Sequence, residues 1–298
     1  MKMSEIKKRK RRLGDRYDGF RVRSMDPTFY LIPHIMRTRL DSQIFFDEQV
    51  DISGLRKFIV ENRENIPGLS MYHFFVAAIV RTLVERPRIN RFVSGRKIFA
   101  RSYLRVSLTI KKAMDEDGEE GQLTPEFAPT DTLKEIVEKF NVALAETKAE
   151  DEKNKGNDTD VAIRILSALP GFLMKFVVWL MRTLDSVGLM PKIINKVSPF
   201  HSSVFVTNVG SIGLSPVYHH LYEFGTTSAF MAIGKKEIVN EVDREGNVNS
   251  KHVINMRFVL DERICDGYYF ASAIKLFKYY VKHPEVLLLP PDHISEDY

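Results

Sequence analysis

The chain has 298 residues, 44% of them hydrophobic, which is enough for one large core or two small ones. Its formal net charge is +5, and much of the excess sits in Lys7-Lys-Arg-Lys-Arg-Arg12. There is no zinc spacing, no phosphate-loop glycine pattern and no nucleic-acid motif, so metal chemistry and nucleic-acid binding are set aside. The single Cys265 leaves no internal disulfide and fits a reducing, cytoplasmic compartment. The start is polar and basic without an apolar run behind it, unlike a signal peptide.

Residues 1–25 read as a solvated basic arm whose run at 7–12 also suits anionic lipid headgroups. The main body is expected over 26–291. Arg37 to Val50 reads as a strand, and Ile52 to Asn62 as a short helix capped by Asp51 or Ser53. Ser70 caps an apolar helix from Met71 to Glu85, stopped before Pro87 and expected to be buried. His73 on that helix has no His or Cys partner at metal spacing and is read as packed. Phe99 to Lys111 alternates as one strand. Asp115 to Glu120 is an acidic loop, and Thr132-x-x-Glu135 is a capping box in front of an amphipathic stripe through Leu144. Ala149 to Asp160 is charged and turn-rich and is expected to be a loop.

Residues 161–197 form an apolar insertion. Ile163 to Leu184 is dominated by large apolar side chains and holds the only tryptophan, Trp179. Arg164, Lys175, Arg182 and the Pro170-Gly171 break argue against a spanning helix. A buried helix pair is the favoured reading. The other is an amphipathic surface that lies on a bilayer or covers an acyl tunnel.

The C-terminal third carries the chemistry. Phe205-Val-Thr-Asn-Val-Gly-Ser-Ile-Gly213 reads as a strand running into a turn, and His219-His220 lies in a following loop. Ala229 to Gly234 is a further strand, and Asp243-Arg-Glu-Gly246 a hairpin turn. Ile254, Met256, Phe258 and Leu260 then alternate with Asn255, Arg257 and Val259, a strand with one apolar face. Glu262 continues the even series, so it is expected to point inward at the strand end. Asp266-Gly267 breaks the strand, and Tyr268 to Lys282 reads as a helix. Residues 292–298 read as a polar tail.

The stretch Glu262-Arg-Ile-Cys-Asp266-Gly267 resembles the His-x-x-x-Asp-Gly signature of the chloramphenicol acetyltransferase-like superfamily, with Glu262 at the His position. Phe205 to Gly213 resembles that superfamily's Phe-Thr-Ile-Ser-Asn-Leu-Gly-x-x-Gly stretch. Among its members, the catalytic domains of the 2-oxoacid dehydrogenase dihydrolipoamide acyltransferases are the most similar in pattern, over about residues 28–112 and 200–290. The resemblance implies an α/β fold with a mixed sheet flanked by helices. It also implies a homotrimer with its sites between subunits, and acyl transfer between coenzyme A and a hydroxyl, amine or thiol acceptor. In that scheme Thr207 donates to the oxyanion, Glu262 occupies the place of the base, and Asp266 supports it. Asn208, Gly210 and Ser211 lie at the cofactor. An N-terminal arginine, Arg16 or Arg21, is the expected partner of Asp266. No lipoyl domain is read in the chain. His219 and His220 are alternative bases. The second reading is a catalytically inactive relative that serves as a binding or assembly module, and peripheral contact with the inner face of a membrane through 7–12 and 163–184 is compatible with both.

Overall fold

Helix formation is clearest where the sequence stacks apolar residues behind a cap. In α3 (Met71–Glu85), Ser70 accepts from the His73 backbone N–H, and every residue from His73 to Val84 is buried. The computed structural model describes residues 9–111, 120–154 and 170–297. Around α3 stand β1 (Gly19–Arg21), α1 (Pro27–Ile35), β2 (Gln43–Asp51), α2 (Ser53–Asn62), β3 (Arg91–Ser94), β4 (Lys97–Arg101) and β5 (Leu104–Lys111). They are followed by β6 (Glu120–Leu123), β7 (Glu126–Phe127), α4 (Leu133–Asn154), α5 (Gly171–Ser186), α6 (Lys192–Val197), β8 (Val204–Asn208), β9 (Ala229–Val242), β10 (Val248–Asp261) and α7 (Gly267–Lys282).

The main sheet runs in the order β2-β10-β9-β8-β5-β6, with β7 also on β5. β9, β8 and β5 are parallel neighbours and the other pairings are antiparallel, so the sheet is mixed. α3 and α7 pack on one face with Ile254, Met256 and Leu260. The opposite face carries Phe205, Phe230 and Val259 beneath Leu221 and Tyr222. A second, three-stranded sheet, β1-β4-β3, stands apart.

Several expectations change. The strand expected over 99–111 is two strands in two sheets, because the chain turns at Ser102-Tyr103. α4 extends to Asn154, so the expected loop is helix over 149–154; 155–160 lie outside the described residues, as do the acidic loop's residues through Glu119. The N-terminal arm is packed where it is described: Arg9 and Arg11 stack over Phe20, and Arg11 donates to the carbonyls of Arg16 and Tyr17. The C-terminal tail is also held, by a buried ion pair between Asp297 and Arg91.

The insertion differs most. Residues 161–169 lie outside the described residues, but α5 is not part of a buried pair. Phe172, Phe176 and Trp179 are 72%, 57% and 58% exposed. What α5 turns inward is Asp185, which meets Arg16 at 2.6 Å, while Arg16 also binds Asp18 through two nitrogens. His201 Nε2 lies 3.5 Å from the same carboxylate. The inversion follows from charge: a buried Arg16 requires carboxylates, and the helix supplies one.

Burial alone would raise the Asp185 carboxyl, but the neighbouring His201 and Arg16 outweigh it and bring its pKa down to about 2. A depressed carboxylate pKa stabilises the fold above the unfolded value of 3.8 and loses that contribution as pH falls towards 2. Asp185→Asn is therefore expected to cost about 2 kcal/mol at neutral pH, with the gap to wild type closing between pH 4 and 2 in urea titrations. A gap independent of pH would show that the carboxylate's charge is not what anchors α5.

Candidate functional site

Thr207 stands next to last on β8. Register places it beside Ala232 of β9, and Ala232 beside Arg257 of β10. It is half-buried, and its hydroxyl makes no hydrogen bond with another described residue. The turn behind it depends on a close backbone approach. A Cβ on Gly210 would meet the Gly234 carbonyl oxygen at 2.2 Å, so no larger residue fits without moving β9. Ser211 Oγ donates to the Asn208 carbonyl at 2.7 Å, closing the turn. Gly210 and Ser211 thus have structural work here, and half-buried Asn208 ends the strand.

Glu262 does not continue the inward series of β10. The strand ends at Asp261, and Asp261 is the residue that turns fully inside, at 0% exposure. It accepts from Arg263 Nε and Nη2 at 2.8 and 2.7 Å, and from Ser42 Oγ at 3.0 Å. Arg39 Nε lies 4.0 Å away, also buried; burial pulls the Arg39 guanidinium pKa down and the Asp261 charge opposes this. Asp261 continues the odd series after Val259, onto the face under Leu221 and Tyr222, where two arginines surround its carboxylate, and the strand ends before Glu262. Glu262 is left half-buried in the turn, its backbone N–H tied to Ser42 O at 2.8 Å. Its carboxylate pairs with no described residue, and Arg263 is committed to Asp261.

Asp266 is exposed and caps α7, accepting from the Tyr269 N–H at 2.9 Å. Neither expected arginine reaches it: Arg16 is bound in the Asp18–Asp185 cluster, and no ion pair joins Arg21 to it. The cap satisfies Asp266 without them. Cys265 beside it is buried, which pushes the thiol pKa well up and makes it a poor nucleophile.

His219 lies flat on Phe230 with ring centroids 4.2 Å apart, and Phe230 stacks on Phe205 at 5.1 Å. Phe205 precedes Thr207 by two residues, so the stacked rings and Thr207 share one face of the sheet, with Thr207 about 7 Å beyond Phe205 along β8 and His219 over the neighbouring strand. Burial lowers the His219 pKa and keeps the imidazole neutral at pH 7. Its Nδ1 lies 2.9 Å from the His220 carbonyl, which only accepts, so Nδ1 carries the proton and Nε2 keeps a lone pair. His220 is exposed beyond it, 4.6 Å away ring to ring.

Thr207 and Glu262 do not meet within one chain. Arg257 shares the Thr207 row, and β10 runs four residues further, about 13 Å, before Glu262 begins. Two strand spacings of about 4.8 Å separate them sideways as well. Thr207 lies near the C-terminal end of β8, and Glu262 lies beyond the C-terminal end of β10, level with the start of β8.

Residues 199–289 match the model of the 2-oxoacid dehydrogenases acyltransferase family (catalytic domain). That segment holds Thr207, His219, Glu262 and Asp266. The whole chain is similar in fold to a probable dihydrolipoamide acetyltransferase from Listeria monocytogenes, at 15% identity, with 93% of this chain and 97% of that one covered and a TM-score of 0.54. It is similar to the cubic core of a pyruvate dehydrogenase multienzyme complex, at 12% identity, 91% and 95% coverage and a TM-score of 0.54. It is also similar to the dihydrolipoamide acetyltransferase of Azotobacter vinelandii, at 14% identity, 90% and 94% coverage and a TM-score of 0.52. No curated protein matches the chain by sequence. The fold expected from the resemblance is the fold observed, a mixed sheet flanked by helices.

Proposed function

We propose that the protein transfers an acyl group from coenzyme A to a hydroxyl, amine or thiol acceptor, at sites formed between copies of the chain. The observation that carries this reading is that two groups in the motif stretches, the Thr207 hydroxyl and the Glu262 carboxylate, have no side-chain partner among the described residues and stand apart on one sheet. On the resemblance, these positions face each other across the interface of a trimer. Glu262 takes the acceptor's proton as the acceptor's lone pair bonds to the thioester carbonyl carbon. Thr207 Oγ donates to the oxyanion so formed. Collapse breaks the carbon–sulfur bond, and the leaving coenzyme A thiolate takes the proton back from Glu262.

A site shared between copies has a specific test. Thr207→Ala and Glu262→Gln, each inactive alone, are mixed and reassembled. Mixed trimers regain sites that pair an intact Thr207 with an intact Glu262, so coenzyme A release should return to roughly a quarter of wild type by random assortment. A strict monomer in light scattering, or no recovery on mixing, overturns the shared site. An absence of coenzyme A release by the wild type, across varied acyl donors and acceptors, favours the inactive module instead.

A second reading has its own observation. His219 is neutral, has a free Nε2 and lies on the face of Thr207 within one chain. If it is the base, Glu262→Gln retains its rate and His219→Gln loses it.

A further inference from the structure

We propose that the outward face of α5, together with the arginine-lined cavity beside it, docks the protein onto a bilayer surface rich in anionic lipid. A helix on a protein surface ordinarily turns its apolar stripe inward and its polar residues out. The α5–α6 segment departs from this: its only acid is buried and its largest aromatic side chains are exposed. The fully buried residues of its two helices are Asp185, tied to Arg16, and Asn195, whose side-chain amide donates to Asp18 at 3.1 Å and whose backbone carbonyl accepts from Arg105 at 3.0 Å, while Met174, Val177, Met181 and Leu184 are half-buried. Its outward residues are Phe172, Phe176, Trp179 and Leu180, spaced so that they share one side of the helix. Ile193 and Val197 of α6 are 73% and 69% exposed.

The anchoring fixes this orientation. Arg16 also donates to the Asp185 carbonyl, and Ser94 Oγ donates to the same atom at 3.1 Å. A Cβ on Gly95 would lie 2.5 Å from the Ser186 carbonyl oxygen, so the tip of the β3–β4 hairpin presses on the end of the helix. Rotating the apolar stripe inward would break a buried ion pair.

Charge selects the occupant. Asp185 is the only acid of 170–197 and it is buried against Arg16, so every exposed charge of the segment is positive: Lys175, Arg182, Lys192 and Lys196. Lys175 and Arg182 flank the apolar stripe on one side, seven residues apart. At the C-terminal end of α5 a cavity of about 170 Å³ is lined by Arg37, Arg96 and Arg182, with Glu223 and Asp185 as its acids. Glu223 accepts from the backbone N–H groups of Arg39 and Leu40 and lies 3.7 Å from Arg182, and Asp185 belongs to Arg16. Arg37 and Arg96 are exposed and make no ion pair among the described residues. An aromatic stripe beside basic side chains matches the layer where acyl chains meet phosphate headgroups. Among the described residues no helix is long and apolar enough to cross a membrane, and α5, with 16 residues that include Lys175 and Arg182, has the form of a helix lying in the surface.

Trp179 is the only tryptophan and sits at the centre of the stripe, so its emission reports the contact directly. The full chain is mixed with vesicles of neutral phospholipid, with or without about 30% anionic phosphatidylglycerol. Co-sedimentation with the anionic vesicles is expected, with a blue shift of Trp179 emission and quenching by brominated acyl chains. Phe172→Asp with Phe176→Asp should weaken binding at least about tenfold at an unchanged unfolding midpoint, since both side chains are exposed. Arg37→Glu with Arg96→Glu should remove about fivefold per position and flatten the loss of binding on added salt. Absence of binding, or binding without a Trp179 response, overturns the proposal. So does a Trp179 shift that follows protein concentration without lipid, which would assign the stripe to a second copy. Emission already blue in the free protein and indifferent to vesicles would assign it to residues 155–169 of the chain itself.

Discussion

Glu262→Gln is expected to reduce coenzyme A release by about 10²–10⁴-fold, the range for loss of a general base. The replacement keeps shape and hydrogen-bonding capacity and removes only basicity. The Glu262 carboxylate pairs with no described residue, so no described contact depends on its charge. Thermal unfolding of wild type and variant should therefore coincide within about 0.5 kcal/mol. This separation of rate from stability distinguishes a working base from a structural carboxylate, whose replacement would lower the unfolding midpoint. The assay is coenzyme A release by both proteins side by side across pH. Equal rates remove Glu262 from the mechanism and leave His219 as the base to test. Glu262→His, which rebuilds the signature that the sequence resembles, is the companion variant and should retain turnover.

Asp261→Ala is expected to show the opposite pattern, a large loss of stability. Asp261 is 0% exposed and is the carboxylate between Arg263 and Arg39, themselves 3% and 5% exposed. Removing it leaves two buried guanidinium groups without their shared counter-charge and Ser42 Oγ without an acceptor it now uses. Breaking a buried pair in this way costs about 3–5 kcal/mol. For a chain of this length that corresponds to a fall of roughly 6–20 °C in the unfolding midpoint. Calorimetry checks it, and a shift of under about 2 °C would show that water reaches the arginines once the carboxylate is gone. Activity should fall together with stability, because the same cluster holds the turn that carries Glu262.

The two neighbours Asp261 and Glu262 show how legible the site was. Alternation along β10 correctly identified its core face, since Ile254, Met256 and Leu260 are all buried. Extrapolated one step further, the same rule made Glu262 the inward carboxylate. It failed there because a strand's period holds only while the ladder holds. Asp261 follows Val259 onto the opposite face, which is also covered, and the ladder ends there; the carboxylate's partners include Arg39 and Ser42, which arrive from over 200 residues away in sequence. The capping of α7 by Asp266 is local chemistry, an N-cap three residues before the N–H it accepts, and it takes the place of the expected arginine partner. His219 was visible only as one of a histidine pair in a loop. Its neutrality and its place on the face of Thr207 come from stacking on Phe230, a contact that no spacing in the chain announces.

The sequence by itself determined what short-range physics controls. It placed α3 between its serine cap and its proline, the hairpin turn at Gly246, the apolar face of β10, and the motifs at Thr207 and Asp266 whose resemblance implies the fold. Only the tertiary structure decided which charges are buried and which apolar residues are not. Apolar content said that α5 should be covered; a buried Arg16, needing carboxylates within about 3 Å, turned Asp185 inward and left Phe172, Phe176 and Trp179 outside. Desolvating an unpaired guanidinium costs more than leaving a few aromatic side chains in water, so the ion pair fixed the helix and the apolar stripe followed.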